Sequence, residues 1–186
     1  MYGLSHWRNP LLLTSLISVV VSASAAENGP ITILFLGDQG HHRPAERFLD
    51  LQPALASRGI SLVFKADANA LNSDKLYDYD GILVYANIEY ITPKQEAALL
   101  AYVASGKGFI PVHCASYCFL NSPKYTELVG AQFKSHGVGV FRTTSVETDH
   151  PAIAGSGDFE SWDETYTHHK HNEQQRTVLS YRVDES

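Results

Sequence analysis

Nine histidines and two cysteines are the residues of this 186-residue chain with the widest chemical reach, and their placement is uneven. His113 and Cys114 sit where Gly106-Lys-Gly-Phe-Ile-Pro-Val112 ends, a short apolar strand that turns abruptly towards a predicted helix. In an open α/β sheet such strand ends collect reactive groups, because loops and helix N-termini leave a crevice there lined by backbone N–H donors. His41 and His42 follow another apolar strand, and His136 lies in the loop sequence Ser-His-Gly. Strand ends on one sheet edge are neighbours, so His41 or His42 is expected to approach His113, with His136 joining from the following loop. Two or three neutral imidazoles with a carboxylate form a ligand set for zinc or a related divalent ion. Asp163, Glu164 and Asp38 are the carboxylates nearest by motif. The cluster His168, His169 and His171 beside Lys170 reads as a solvated segment.

Cys114 suits a nucleophile in principle, since a neighbouring imidazole and a helix N-terminus both favour thiolate. Adjacent residues at a tight turn point apart, however, so His113 is badly placed to serve as its base, and packing is the default role. Cys114 and Cys118 lie within one helical turn, a poor geometry for bridging, and are read as buried free thiols. Trp162-Asp-Glu-Thr-Tyr166 joins an aromatic plate, two carboxylates and a phenol, suited to gripping a sugar ring by stacking and hydrogen bonds. The bland alternative packs Trp162 in the core. In an extended strand Asp163 and Glu164 face opposite ways, which disfavours a glycosidase pair flanking one scissile bond. The sequence holds no phosphate loop, dinucleotide glycine fingerprint or Gly-x-Ser-x-Gly elbow.

Several elements must carry these groups. Ile31 to Gly37 predicts a strand, Pro44 to about Arg58 a helix stopped by Gly59, and Ile60 to Phe64 a second strand. Asp80 to Tyr85 predicts a third strand. Thr92-Pro-Lys-Gln95 opens a helix with a capping box that Gly106 closes, and Phe109 to Val112 is the fourth strand. Ser122-Pro123 caps a short helix ending near Gly130. Gly139 to Val146 and Thr177 to Val183 then read as strands of a less regular β-rich section. Repeated strand–helix–strand spacing implies a mostly parallel sheet covered on both faces, a three-layer α/β sandwich.

Residues 1–26 read as a signal peptide: Arg8, an apolar run from Leu11 to Val21, then Ser22-Ala-Ser-Ala-Ala26. That run is about half the length of a membrane span. Residues 27–186 are expected to be one exported domain, periplasmic or extracellular, without a membrane span after cleavage. The ending at Ser186 directly after a strand predicts a domain truncated at its C-terminus. A formal charge of −6 without any basic block disfavours nucleic acid and anionic membranes and favours a small polar substrate or a protein partner.

Taken in order, Phe35-Leu-Gly-Asp-Gln-Gly-His-His-Arg-Pro44, Gly106-Lys-Gly-Phe-Ile-Pro-Val-His-Cys-Ala-Ser116, Phe133-Lys-Ser-His-Gly137, Asp149-His-Pro151 and Asp158-Phe-Glu-Ser-Trp-Asp-Glu-Thr-Tyr166 resemble the ThuA-like (trehalose utilization) family. The resemblance implies a flavodoxin-like architecture related to class I glutamine amidotransferases. Those enzymes carry a cysteine nucleophile at the elbow; laying Pro111-Val-His-Cys-Ala115 on that turn puts His113 there, which argues against glutamine hydrolysis. It implies instead carbohydrate metabolism, with disaccharides oxidised to 3-keto sugars as substrates and a sugar dehydrogenase or haem-bearing module as partner. On this expectation His113 is the base. Arg43, or a divalent metal such as zinc held by His42 and His136, stabilises the enolate oxygen. Glu164 and Tyr166 orient hydroxyls, and Asp38, Trp162 and Asp163 bind substrate. The competing expectation is a non-catalytic carbohydrate- or partner-binding module, because a fold alone does not license an enzyme.

Overall fold

The computed structural model describes residues 29–174 and 176–184. The proposed signal segment lies outside these residues. Among the described residues no helix is long and apolar enough to cross a membrane.

Four strands form a parallel sheet: β1 (Ile31–Leu36), β2 (Ile60–Lys65), β3 (Gly81–Val84) and β4 (Gly108–Pro111), in the order β2-β1-β3-β4. Alternation sorts their side chains onto two faces. Leu34, Leu36, Ile82 and Val84 join Leu99 and Tyr102 of α2 (Pro93–Ala104) and Tyr125 of α3 (Pro123–Val129) in the larger core. Ile33, Phe35 and Leu83 face Phe48 and Leu55 of α1 (Pro44–Ala56) in the smaller one. These helices begin and end where local chemistry dictates. The Thr92 and Gln95 side chains form a reciprocal capping box at α2, and the Ser122 hydroxyl accepts from Tyr125 N–H at α3. Gly130 takes φ +98° to terminate α3, a conformation glycine adopts without a Cβ penalty. At Gly37 the constraint is space: a Cβ would lie 2.6 Å from the Phe64 ring and 2.7 Å from Pro44.

A second sheet is antiparallel, in the order β6-β5-β7, built from β5 (Gln132–Ser145), β6 (Phe159–His169) and β7 (Ser180–Asp184). The sequence signalled only the second half of β5, because Lys134, Ser135, His136 and Gly137 are polar or small and read as loop. They pair nonetheless with β6, with a register shift between Phe133 and Ser135. The expected helix after β4 is a five-residue 3-10 turn, His113–Tyr117. It is short because His113 enters at φ +49°, a left-handed conformation that breaks continuity with both strand and α-helix.

Candidate active site

The strand order reverses between β1 and β3, the place where open α/β sheets hold ligands beyond their strand ends. Asp38, just past β1, ties the two sides of that reversal together. Its carboxylate accepts from Gly40 N–H at 2.6 Å and from Asn87 N–H in the segment after β3. Both oxygens are thus occupied by backbone donors, so Asp38 holds the loop that presents His41, His42 and Arg43.

His42 and His113 meet edge to face, with ring centroids 4.8 Å apart. Glu164 reaches them from β6: its Oε2 lies 3.2 Å from His113 Nε2, and its Oε1 lies 3.8 Å from His136 Nε2. Although close to the imidazole, Oε2 is buried without an aligned hydrogen bond. Tyr166, two residues along the same strand, stacks on His113 at 4.6 Å between centroids and brings its hydroxyl within 3.4 Å of Nε2. Tyr85 lies on a further side of the His113 ring, nearly parallel at 6.0 Å. Burial is the main cause lowering the pKa of His42, with His41 and His113 adding to it and Glu164 and Asp38 opposing. Burial and then Glu164 push the Tyr166 phenol up, so it stays protonated at neutral pH.

Strand β6 acts as a clamp because alternate residues share one face. Glu164 and Tyr166 engage His113, and His168 places Nε2 3.1 Å from the Ser116 hydroxyl. His168 is therefore not a solvated residue like its neighbours His169 and His171. The signal was present as the period-two run Trp162, Glu164, Tyr166, His168, but adjacent histidines and a lysine disguised it.

Trp162 is 70 % exposed, which replaces the core alternative. With Asp163, Arg43, Arg47, Val138 and His113 it lines a cleft of about 640 Å³. Arg43 pairs with Glu46 at 3.1 Å on the rim of this cleft. A second cavity of about 450 Å³ is lined by Asn87, Glu89, Tyr117, Phe133, His136 and Tyr166, and it shares His41, His42 and Glu164 with the first. Asn87, Glu89 and Tyr117 escaped sequence reasoning, since no motif or spacing links them. A further hollow around Leu128 and Asn172 is lined by neither His42 nor His113.

One ligand atom from each of His42, His113 and Glu164 lies within 4.8 Å of the other two. Two imidazoles and a carboxylate with an unpartnered buried oxygen fit a zinc-class cation. His136, expected to join His42 as a ligand, lies 3.8 Å from Oε1 of the same carboxylate and lines one cavity with His42. Cys114 is buried behind the elbow. Burial, followed by the Asp38 charge, raises its thiol to about 12, so it is not a thiolate at neutral pH. Cys114 and Cys118 are both free.

A parallel β2-β1-β3-β4 sheet with helices against it defines a flavodoxin-like α/β protein, with His113 at the sharp elbow after β4. The chain belongs to the ThuA family, described as trehalose utilisation, which matches residues 32–186. Among solved structures it is similar to a putative ThuA-like protein from Parabacteroides merdae, with a TM-score of 0.72 and 17% identity over 84% of this chain and 69% of that one. Another putative ThuA-like protein, from Bacteroides uniformis, gives a TM-score of 0.69 and 18% identity over 86% and 70%. A putative GMP synthase subunit from Thermoplasma acidophilum shares the fold at a TM-score of 0.50, 12% identity and 81% and 72% coverage. No curated protein matches the chain.

Proposed function

We propose that this protein processes a disaccharide carrying a ketone at C3, with His113 as the base. The observation that carries the reading is the convergence of His42, His113 and Glu164 in a cleft beside an exposed indole. A C3 ketone acidifies the C2–H bond, and imidazole has an unperturbed pKa suited to removing that proton near neutral pH. The His113 ring takes the substrate proton, and the Glu164 carboxylate, 3.2 Å from Nε2, stabilises the imidazolium so formed by its charge. Arg43 offsets charge on the enolate oxygen, Tyr166 fixes the plane of the ring, and Trp162 and Asp163 hold the sugar. Asp38 serves this binding through the loop it anchors.

The unpartnered Glu164 Oε2 favours a second version, in which His42, His113 and Glu164 hold a divalent cation such as zinc. Such an ion supplies Lewis acidity toward a sugar carbonyl. In that version His113 is a ligand, and Tyr166 and Arg43 position the substrate around it.

The N-terminal residues support export, and a 3-keto substrate requires a sugar dehydrogenase, free or haem-linked, to supply it. The test is turnover of 3-keto-trehalose by purified protein of known metal content, beside a His113→Ala variant checked for folding by circular dichroism. Loss of about 10²-fold or more in rate supports the assignment. Unchanged turnover removes it, and sugar binding without any turnover identifies a binding module instead.

A further inference from the structure

The two cavities that meet at His41, His42 and Glu164 differ in chemistry. The wider contains the base, an exposed aromatic plate and arginines. The narrower has no cationic side chain apart from its imidazoles. It is walled by Phe133 and Tyr117, edge to face at 5.6 Å, and presents the carboxamide of Asn87 and the carboxylate of Glu89. Glu89 is held in place by the Tyr117 hydroxyl, which donates to it at 3.1 Å. Asn87 is fixed by its backbone bond to Asp38, while its Oδ1 is buried without a partner. Asn87 and Glu89 thus give this cavity a polar wall of carboxamide and carboxylate, groups that pair with the hydroxyls of a sugar. Each cavity falls within the roughly 300–1,000 Å³ of ordinary small-molecule sites.

We infer that the narrower cavity is a leaving-sugar subsite, with Asn87 and Glu89 as specificity-determining residues, so that a two-ring glycoside spans the junction with its keto ring beside Trp162. The inference rests on the carbohydrate reading above and selects bond cleavage over isomerisation. The glycosidic oxygen then lies at the junction. His113 takes the C2 proton, the C–H electron pair becomes the C1=C2 double bond, and the C1–O bond breaks. The proton held on His113 passes to the departing oxygen. The products are an unsaturated keto sugar and an intact second sugar, with no oxidant or reductant consumed.

The test is NMR-detected titration of trehalose and of glucose into the full chain and into Asn87→Ala, Glu89→Gln and Trp162→Ala variants, with folding checked by circular dichroism. The expected result is that Asn87→Ala and Glu89→Gln each weaken trehalose about tenfold, the effect of losing a buried or charged hydrogen bond, while glucose, seated at Trp162, changes less than twofold. Trp162→Ala weakens both sugars. Glu89→Gln conserves shape and keeps the test sound if Asn87→Ala fails to fold. Equal weakening of both sugars by the Asn87 and Glu89 variants, or no effect on trehalose, overturns the subsite while leaving the carbohydrate reading in place. Absence of binding by either sugar overturns both.

Discussion

Glu164 Oε2 and His113 Nε2 are 3.2 Å apart although 51 positions separate them in the chain, and each side chain is about three-quarters buried, at 25% and 23% exposure. A carboxylate there stabilises the charged ring, which an amide of the same shape does only in part. Glu164→Gln is therefore expected to lower kcat by about 10²-fold with a smaller change in KM. Steady-state kinetics on 3-keto-trehalose reads this split. A change confined to KM would reduce Glu164 to a hydroxyl ligand.

Trp162 separates binding from stability. At 70 % exposure its indole adds little to the folded state, so Trp162→Ala should shift the unfolding free energy by no more than about 0.5 kcal/mol. Loss of a stacking plate should nevertheless raise KM severalfold at unchanged kcat. Denaturant titration and kinetics on the same preparation check both halves. A large loss of stability would mean that the indole packs against the protein in solution.

The first four strands and three helices were legible because their signals are local: alternating apolar residues, Thr92 and Ser122 at N-caps, Gly59, Gly106 and Gly130 at stops. The approach of His42 to His113 was also legible, since it follows from parallel topology alone. What escaped depends on pairing at a distance. The first half of β5 carries Lys134 to Gly137, which gain regularity only from their hydrogen-bonded partners in β6. The approach of Glu164 to His113 and His136 likewise joins residues distant in the chain, and no local pattern announces it. Asn87 and Glu89 lie beyond β3 in a segment without helix or strand pattern, so only the fold reveals that they face a cavity.

His168 gives the fold a pH dependence whose sign can be worked out. Burial first, then the charges of His171, Arg182 and His169, lower its pKa from 6.5, while the Ser116 hydroxyl bonds its neutral ring. The unfolded chain therefore binds more protons than the folded one below the ordinary histidine value, and stability rises with pH in that range. The contribution is fully present above 6.5 and is lost as pH falls from 6.5 through the lower folded value. Urea midpoints for the wild type should drop between pH 7.5 and pH 5.5. His168→Gln, which keeps a polar partner for Ser116 but cannot titrate, should flatten the drop. An identical pH slope in the variant would assign the titration to other groups.

The thiols provide a check on the elbow. Cys114 has 0% relative exposure and Cys118 has 1%; burial raises Cys114 to about 12 and Cys118 further, and the Cys118 thiol donates to Ala86 carbonyl at 2.8 Å. Nucleophilic thiolate is the species that reacts with alkylating reagents, so at pH 8 both groups are shielded by position and by protonation. Iodoacetamide should leave the folded protein unmodified by mass spectrometry over an hour and its turnover unchanged, while denatured protein takes up two adducts. Because Cys114 adjoins His113 in sequence, one adduct on the native protein with loss of activity would show that the turn opens to expose the thiol. That outcome would favour Cys114 as a nucleophile over His113 as the base.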